Sequence, residues 1–178
     1  ETSTLKKYFP QPDGSVILCE IAAGRITRIW PDGSTQTVAE PGGGPNGLAM
    51  GPDGKLYCCN SGGTNWHIFG GMLTPGLQPQ NYAGGRIERI DLETGEIEIL
   101  YADGAFGHRL CAPNDLVFDD TGGFWFSDHG QSRERDRDVT GIFYARAAGS
   151  LLEEWDWPLA GRHDSLRRRD LHMPPDGL

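Results

Sequence analysis

Two stretches of the sequence repeat one pattern, and this repeat restricts the possible folds more than any other feature. The first, GPNGLAMGPDGKLYCCNSGG, runs from residue 44 to 63, and the second, APNDLVFDDTGGFWFSDHG, runs from 112 to 130. Each begins with Pro-Asn, continues as an apolar run, turns at glycine and resumes as a second apolar run. The two asparagines, Asn46 and Asn114, lie 68 positions apart. Such internal similarity predicts an architecture built from repeated units.

A second set of segments repeats beside the first. GRITRI (24–29), GRIERI (85–90) and, less closely, GIFYAR (141–146) alternate apolar residues with the period of a half-buried strand. One unit thus contains a Pro-Asn strand, a second strand, a Gly-Arg-Ile strand and an outer strand such as GEIEILY, which together form a propeller blade. Because blade repeats span about 40–50 residues, the wider spacing requires an insertion. Residues 64–84 supply it as a predicted ordered surface loop.

The units predict an all-β chain of the β-propeller type with about three blades, whereas propellers close with about four to eight. The predicted propeller part covers residues 1–160, with blades at 14–39 (partial), 45–101 and 113–158. Residues 161–178 lose the pattern, and we predict either a disordered, solvated tail or an aberrant end produced by a frame disturbance. So few blades leave strand edges open, and association with other chains through these edges is one expectation.

Composition agrees with a folded β-protein. Hydrophobic residues make up 37% and charged residues 23% of the chain, and 26 glycines with 12 prolines suit short strands joined by tight turns. The net charge of −9 opposes contact with phosphate backbones, so no nucleic-acid partner is expected. We see neither a signal peptide nor a stretch of about 20 apolar residues. We therefore expect no membrane partner and a cytoplasmic location.

The cysteines and histidines show no familiar metal or disulfide pattern. The four cysteines fit neither a dense disulfide framework nor a paired CxxC site, and we predict buried, reduced thiols. Cys58 and Cys59 are adjacent in a predicted strand, so their side chains are expected on opposite faces of the sheet. The five histidines lack HExxH or a similar ligand spacing.

Three stretches together resemble the senescence marker protein, gluconolactonase and luciferin-regenerating enzyme-like family. They are GPNGLAMGPDGKLYCCNSGG, GGRIERIDLETGEIEILY, and APNDLVFDDTGGFWFSDHG followed by RERDRD and GIFYARAAGSLLEE. The resemblance covers about Pro12 to Ala160 and is specific as a combination. It implies a six-bladed propeller, of which this chain is expected to be an N-terminal part.

The resemblance also implies an activity, which is the hydrolysis of a sugar lactone or a related cyclic ester. A divalent cation near the axis, held by oxygen ligands from several blades, would polarise the lactone carbonyl or activate a water. Ca²⁺ is the first candidate, with Mg²⁺, Mn²⁺ or Zn²⁺ as alternatives. Because further ligands and the favoured general base come from later blades of the family, we expect impaired catalysis by this chain alone and assign no catalytic residue.

Asn114 and Arg109 are the candidate site residues. The resemblance implies that Asn114 is a metal ligand and contacts substrate at the mouth of the propeller, whereas its alternative role is to shape the turn entering a strand. Arg109 is a candidate for binding substrate hydroxyls or a carboxylate, or else a solubilising surface residue. Asn46 is interpreted as a turn-former. Glu1 and Glu20 are poor matches to the family's early metal-binding glutamate.

Two hypotheses from other classes remain beside the enzyme. The first is a non-catalytic product of a shortened gene, a truncated propeller fragment that either misfolds or associates with other chains through its open edges. The second is a module that binds calcium or a small molecule without turnover.

Overall fold

The chain forms successive four-stranded antiparallel sheets. The computed structural model describes residues 5–139 and 141–155. The first sheet contains β1 (Leu5–Pro10), β2 (Val16–Glu20), β3 (Arg25–Ile29) and β4 (Thr35–Ala39). The second contains β5 (Pro45–Met50), β6 (Leu56–Asn60), β9 (Arg86–Ile90) and β10 (Ile97–Ala102). Between β6 and β9, the chain forms a separate hairpin of β7 (Trp66–Phe69) and β8 (Met72–Pro75). The third contains β11 (Pro113–Phe118), β12 (Gly123–Asp128), β13 (Gly141–Arg146) and β14 (Leu152–Trp155).

This architecture confirms the predicted all-β propeller fold. Each four-stranded sheet is a meander whose strands are added in order, from β1, β5 or β11 at one edge to the outer strand at the other. The first strands of neighbouring sheets lie against each other, β1 beside β5 and β5 beside β11, so they are the inner strands. The first sheet begins at Leu5, upstream of the start predicted for the first unit. Only two short 3₁₀ turns, Ile21–Ala23 and Ala105–Gly107, interrupt the strands in the described part of the chain.

The inner strands approach each other closely at the second Pro-Asn motif. A Cβ atom at Gly47 would lie 2.6 Å from the Asn114 carbonyl oxygen and 2.6 Å from the Cα of Asp115. Only glycine leaves room for this contact. Both inner strands are also irregular here, because the register shifts between Pro45 and Leu48 in β5 and between Pro113 and Asp115 in β11. The repeated asparagines therefore lie in the irregular openings of their strands.

Two apolar clusters hold the sheets together, one on each side of the second sheet. Cys58 belongs to the cluster between the first and second sheets, and Cys59 belongs to the cluster between the second and third. This arrangement matches the opposite faces expected from their adjacency. All four cysteines are buried free thiols.

The inserted segment forms a hairpin rather than only a loop. Phe69 pairs with Met72 across Gly70 and Gly71, whose φ angles are 58° and 80°. Two consecutive residues with positive φ are typical of the tight turn that joins two strands. The Gly-Gly pair between apolar runs was the sequence signal for this hairpin.

The structure leaves some expectations untested. Within the described residues, we find no helix that is both long and apolar enough to cross a membrane. The predicted tail at 161–178 and the last residues of the third unit lie outside the described residues.

Candidate functional site

Several polar side chains lie where strands begin or end, on the same side of each sheet. We call this side, which is formed by strand ends and not by an edge strand, the mouth edge. Pro45 at the start of β5 pairs with Asn60 at the end of β6, and Pro113 at the start of β11 pairs with Asp128 at the end of β12. Antiparallel pairing thus places both Pro-Asn motifs and both second-strand ends at the same edge. Glu20 ends β2 at the corresponding position of the first sheet.

Asn60 organises the mouth edge of the second sheet. Its Oδ1 accepts hydrogen bonds from the backbone N–H groups of Gly44, at 2.9 Å, and Gly62, at 3.0 Å. Its amide nitrogen donates to the Gly42 carbonyl and to Glu88, each at 3.0 Å. Asn60 therefore fixes the two loops on either side of it.

Asp128 fixes the corresponding loops of the third sheet through its carboxylate. Its oxygens accept from the backbone N–H groups of Cys111, Ala112 and Gly130 at 2.6, 2.7 and 2.9 Å. Burial raises the pKa of Asp128 above its ordinary value, and these three hydrogen bonds oppose the shift. Burial likewise raises the pKa of the Cys111 thiol to about 12, so this cysteine is a thiol and not a nucleophilic thiolate at neutral pH.

A buried ion pair supports the second sheet behind the mouth edge. Arg86 donates from Nε to Glu88 at 2.5 Å and from Nη2 to the carbonyl of Pro41 at 2.9 Å. Both side chains are buried, and burial raises the pKa of Glu88 while Arg86 opposes the shift. Since Pro41 and Gly42 belong to the connection from the first sheet, this network ties the first two sheets together.

A cleft of about 300 Å³ opens at the mouth edge. It is lined by strand ends of all three sheets, by the base of the β7–β8 hairpin and by the loop that follows β12. The lining residues are Ile21, Asn46, Ser61, Thr64, Trp66, Pro75, Gly76, His129, Gly130, Gln131, Ser132 and Arg137. Its size falls at the lower end of the range of about 300–1,000 Å³ that is usual for small-molecule sites.

Charge distinguishes this cleft from the rest of the molecule. In a chain with a net charge of −9, its lining contains one guanidinium, from Arg137, and no aspartate or glutamate. Within the described residues, the Arg137 side chain forms no ion pair. A guanidinium with its donors available recognises carbonyl, hydroxyl or carboxylate oxygens. The cleft is therefore suited to an oxygen-rich, neutral or anionic ligand.

One wall of the cleft is locked across two sheets. The buried Gln131 side chain donates to the carbonyls of Ser61, at 2.9 Å, and Gly63, at 3.1 Å. The carboxylate of Asp138 accepts from Gln131 N at 3.0 Å and from Arg133 Nη2 at 2.7 Å. The hydrogen bond from Arg133 lowers the pKa of Asp138 to about 2, so the loop is held by an ionised carboxylate across the neutral range.

The predicted site residues lie in different places. Asn114 is half-buried at the start of the inner strand β11, as expected, and Asn46 is only 7% exposed and lines the cleft. The side chain of Arg109 is 73% exposed and pairs with Asp103 at 3.1 Å. Arg109 lines a second cavity, of about 310 Å³, together with His108, Cys111 and Asp138. Asn114 lines neither of these two cavities, so neither of them contains both Arg109 and Asn114.

Sequence reasoning missed His129, Gln131 and Arg137 as cleft residues. His129 and Gln131 lie in the loop that directly follows the repeated second strand, His129 within SDHG and Gln131 just after it, and this position was the available signal. Arg137 lies in the polar run RERDRD, which resembles a solvated loop in sequence. Asn46, interpreted as a turn-former, also faces the cleft.

The described residues do not by themselves make a cation site. Among residues 5–139 and 141–155, no group of three or more His, Cys, Asp or Glu side chains is arranged to hold a metal ion. Asn114 offers one neutral oxygen, which is insufficient for a hard cation that takes six or more oxygen ligands, including waters, at about 2.0–2.6 Å. The cation and its identity remain expectations.

Comparisons with solved structures show the same fold. The chain is similar to a gluconolactonase of Xanthomonas campestris, with 18% identity and a TM-score of 0.62 over 88% of this chain and 48% of that one. It is similar to a putative gluconolactonase with 21% identity and a TM-score of 0.59 (86% and 48%), and to virginiamycin B lyase of Staphylococcus aureus with 20% identity and a TM-score of 0.55 (89% and 43%). The chain thus spans about half the length of these structures or less.

Family comparison is more specific than these structural likenesses. Curated protein sequences give no significant match. Residues 8–159, however, match the SMP-30/gluconolactonase/LRE-like region, and this match covers most of the chain. With the propeller sheets and repeated Pro-Asn strands in place, the chain belongs to the SMP-30/gluconolactonase/LRE-like family.

Proposed function

We propose that this chain contributes the ligand-binding mouth of a divalent-cation-dependent hydrolase that opens a sugar lactone or a related cyclic ester. The observation that carries this proposal is the cleft of about 300 Å³, in which a guanidinium is the one formal charge among neutral polar and apolar groups. A lactone ring is small, uncharged and rich in oxygen. Family membership supports the reaction class.

The cleft offers groups suited to ester hydrolysis. In this reaction water adds to the carbonyl carbon, the ring C–O bond breaks, and the departing oxygen takes a proton. Negative charge develops on the carbonyl oxygen, where the donors of Arg137 would stabilise it. The imidazole of His129 is the cleft side chain whose nitrogens can accept and return a proton. Asn46 offers an amide that orients ring oxygens.

The proposed cation is Ca²⁺, with Mg²⁺, Mn²⁺ or Zn²⁺ as alternatives, and Asn114 is proposed as one ligand and as a substrate contact. Since the described residues supply no further ligand group, we expect the 178-residue chain to bind ligand in the cleft but to turn over little on its own. Arg109 stays a predicted substrate contact, in a cavity of its own.

Titration calorimetry with gluconate, the opened form of the lactone, tests the binding part. Arg137→Ala should weaken affinity about tenfold or more, because a charge-assisted hydrogen bond contributes roughly 1.5–3 kcal/mol. Arg135→Ala removes an exposed guanidinium from the same loop outside the cleft and serves as the matched control. Equal affinities for both variants would place the ligand elsewhere.

Acid release from glucono-lactone, followed with each of the four cations and corrected for spontaneous opening, tests the catalytic part. We expect little cation-stimulated hydrolysis by the chain alone. Strong stimulation that Asn114→Ala abolishes would contradict the expected impairment and support a working cation site in this chain. A calcium-binding module without turnover would instead show tight Ca²⁺ binding and no hydrolysis.

A further inference from the structure

One face of the β7–β8 hairpin continues the wall of the cleft. Trp66 pairs with Pro75, and both line the cleft. Directly paired residues share a face of an antiparallel sheet, and alternate residues return to that face. Ile68 and Leu73 form the pair two positions farther out, so they share the face of Trp66 and Pro75. We call these four residues the apolar strip.

The strip is open to solvent where it leaves the cleft. Ile68 is 75% exposed, whereas Trp66 is half-buried against the apolar cluster between the first two sheets. The distance from one pair to the next on the same face is about 7 Å. An apolar surface of this length therefore leads directly out of the cleft.

No charge interrupts this surface. Residues 64–85 contain no Asp, Glu, Lys or Arg, in a chain with 23% charged residues. A ligand group that extends from the cleft along the strip thus meets no aspartate, glutamate, lysine or arginine of the hairpin itself. An ionic substituent would gain no ion pair with the strip, whereas an apolar group would lose contact with water.

The base of the hairpin is anchored rather than loose. Asn65 N donates to the Leu77 carbonyl at 2.9 Å, and Gly76 N donates to the Asn65 carbonyl at 2.7 Å. Beyond it, Gln78 N donates to the carbonyl of Ser132 at 2.9 Å, which joins the segment after the hairpin to the loop after β12 that also lines the cleft. The strip therefore keeps a defined position relative to the cleft.

We propose that the apolar strip is a binding subsite for an apolar substituent on the ligand ring that occupies the cleft. The substrate class is then a lactone that carries an alkyl or aryl group, in preference to an unsubstituted polyhydroxy lactone. This inference rests on the proposed lactone hydrolysis only for the identity of the ring. The subsite itself rests on the strand register and on the shared lining.

Hydrolysis-resistant ligands test the subsite without catalysis. Affinity for 5-alkyl-2-pyrrolidinones of increasing chain length, measured by titration calorimetry, should rise about two- to fourfold per methylene. The rise should stop when the alkyl chain exceeds the strip. In a variant with Ile68→Ser and Leu73→Ser the dependence on chain length should disappear. Both changes lie on an exposed hairpin, and thermal unfolding checks that the sheets are intact.

The hairpin provides its own matched control. Phe69 and Met72 are paired on the opposite face and are 77% and 69% exposed. Phe69→Ser with Met72→Ser removes at least as much exposed apolar surface, because Leu73 is half-buried, but should leave the chain-length dependence unchanged. A flat dependence in the native protein, or equal loss in both double variants, would overturn the subsite. So would light scattering or vesicle flotation showing that Ile68 and Leu73 instead join two copies or bind lipid.

Failure of the subsite and failure of the proposed function are distinguishable. Chain-length-dependent binding of the pyrrolidinones, without any gluconate binding that Arg137→Ala weakens, supports the subsite and contradicts the proposed sugar-lactone ligand of the cleft. Gluconate binding that Arg137→Ala weakens, combined with flat pyrrolidinone binding, supports the proposed ligand and contradicts the subsite.

Discussion

In both the second and the third sheet, the side chain at the end of the second strand hydrogen-bonds to the loops at the mouth edge, but the two side chains differ in charge. In the second sheet Asn60 fixes the loops as a neutral amide, and in the third Asp128 does so as a carboxylate. The partner of Asn60 on the third strand is Arg86, whereas the partner of Asp128 is Gly141. The repeat therefore retains the hydrogen bonds from the side chain to the loop backbone. The charged group lies on the third strand in the second sheet, at Arg86, and at the end of the second strand in the third sheet, at Asp128.

The residues behind this position differ in the same way. Cys58 pairs with Glu88 in the second sheet, whereas Phe126 pairs with Phe143 in the third, and the two rings stack at 5.1 Å. Each pair faces the preceding sheet. The first interface thus buries an ion pair linked to the Pro41–Gly42 connection, and the second buries aromatic rings. The same position in the fold accepts either pair. The ion pair gives its buried polar groups hydrogen-bond partners, and the aromatic pair has no polar group to bury.

Breaking the ion pair should give the largest effect. Arg86→Ala leaves Glu88 buried without its cation, and we expect the free energy of unfolding to fall by about 3–5 kcal/mol. Urea unfolding measures the loss. Arg89→Ala, on the same strand but in a more exposed pair with Glu98, should cost about 1 kcal/mol or less. Equal losses would mean that the buried network contributes no more than a surface pair.

Removing the carboxylate of the third sheet should have the next largest effect. Asp128→Ala leaves the backbone N–H groups of Cys111, Ala112 and Gly130 without their acceptor, at an expected cost of about 3 kcal/mol. Asp120→Ala changes an exposed aspartate in the turn between β11 and β12 and should stay within about 0.5 kcal/mol. If both variants unfold at the same urea concentration as the native chain, Asp128 does not fix the loop.

Converting the third sheet to the chemistry of the second should have the smallest effect. Asp128→Asn retains one carbonyl oxygen, as at Asn60, and loses an acceptor for one N–H group, which should cost about 1 kcal/mol at neutral pH.

The same substitution has a defined pH dependence. Burial raises the folded-state pKa of Asp128, so its carboxyl contributes stability fully below its unfolded value of about 3.9. That contribution is lost as pH rises through the raised pKa. The stability difference between native chain and variant should therefore be larger near pH 4 than at pH 7. Urea midpoints at the two pH values measure it, and a difference that grows with pH would contradict the assigned shift.

The repeat made most of the fold predictable. Alternation in GRITRI, GRIERI and GIFYAR identified β3, β9 and β13, and the Pro-Asn motifs identified the inner strands. The hairpin was not predicted because the prediction relied on the repeat, and the other units contain no matching segment. The first strand was missed because LKKYFP lacks the Pro-Asn signal.

The site was less predictable than the fold. Asn114 was placed correctly on an inner strand, but the cleft depends on where the inserted segment packs. Gln78 joins this segment to Ser132, a contact between residues that are distant in sequence. Arg137 enters the cleft only through that packing, and its sequence surroundings, RERDRD, gave no indication of it.

The adjacent thiols of Cys58 and Cys59 have an experimental consequence. Each is sealed in a different apolar cluster, so each becomes accessible to an alkylating reagent only when its own pair of sheets separates. The relative labelling rates of the two sulfur atoms can be followed by fragment mass spectrometry as the denaturant concentration rises. They would give the order in which the interface between the first and second sheets and the interface between the second and third sheets open.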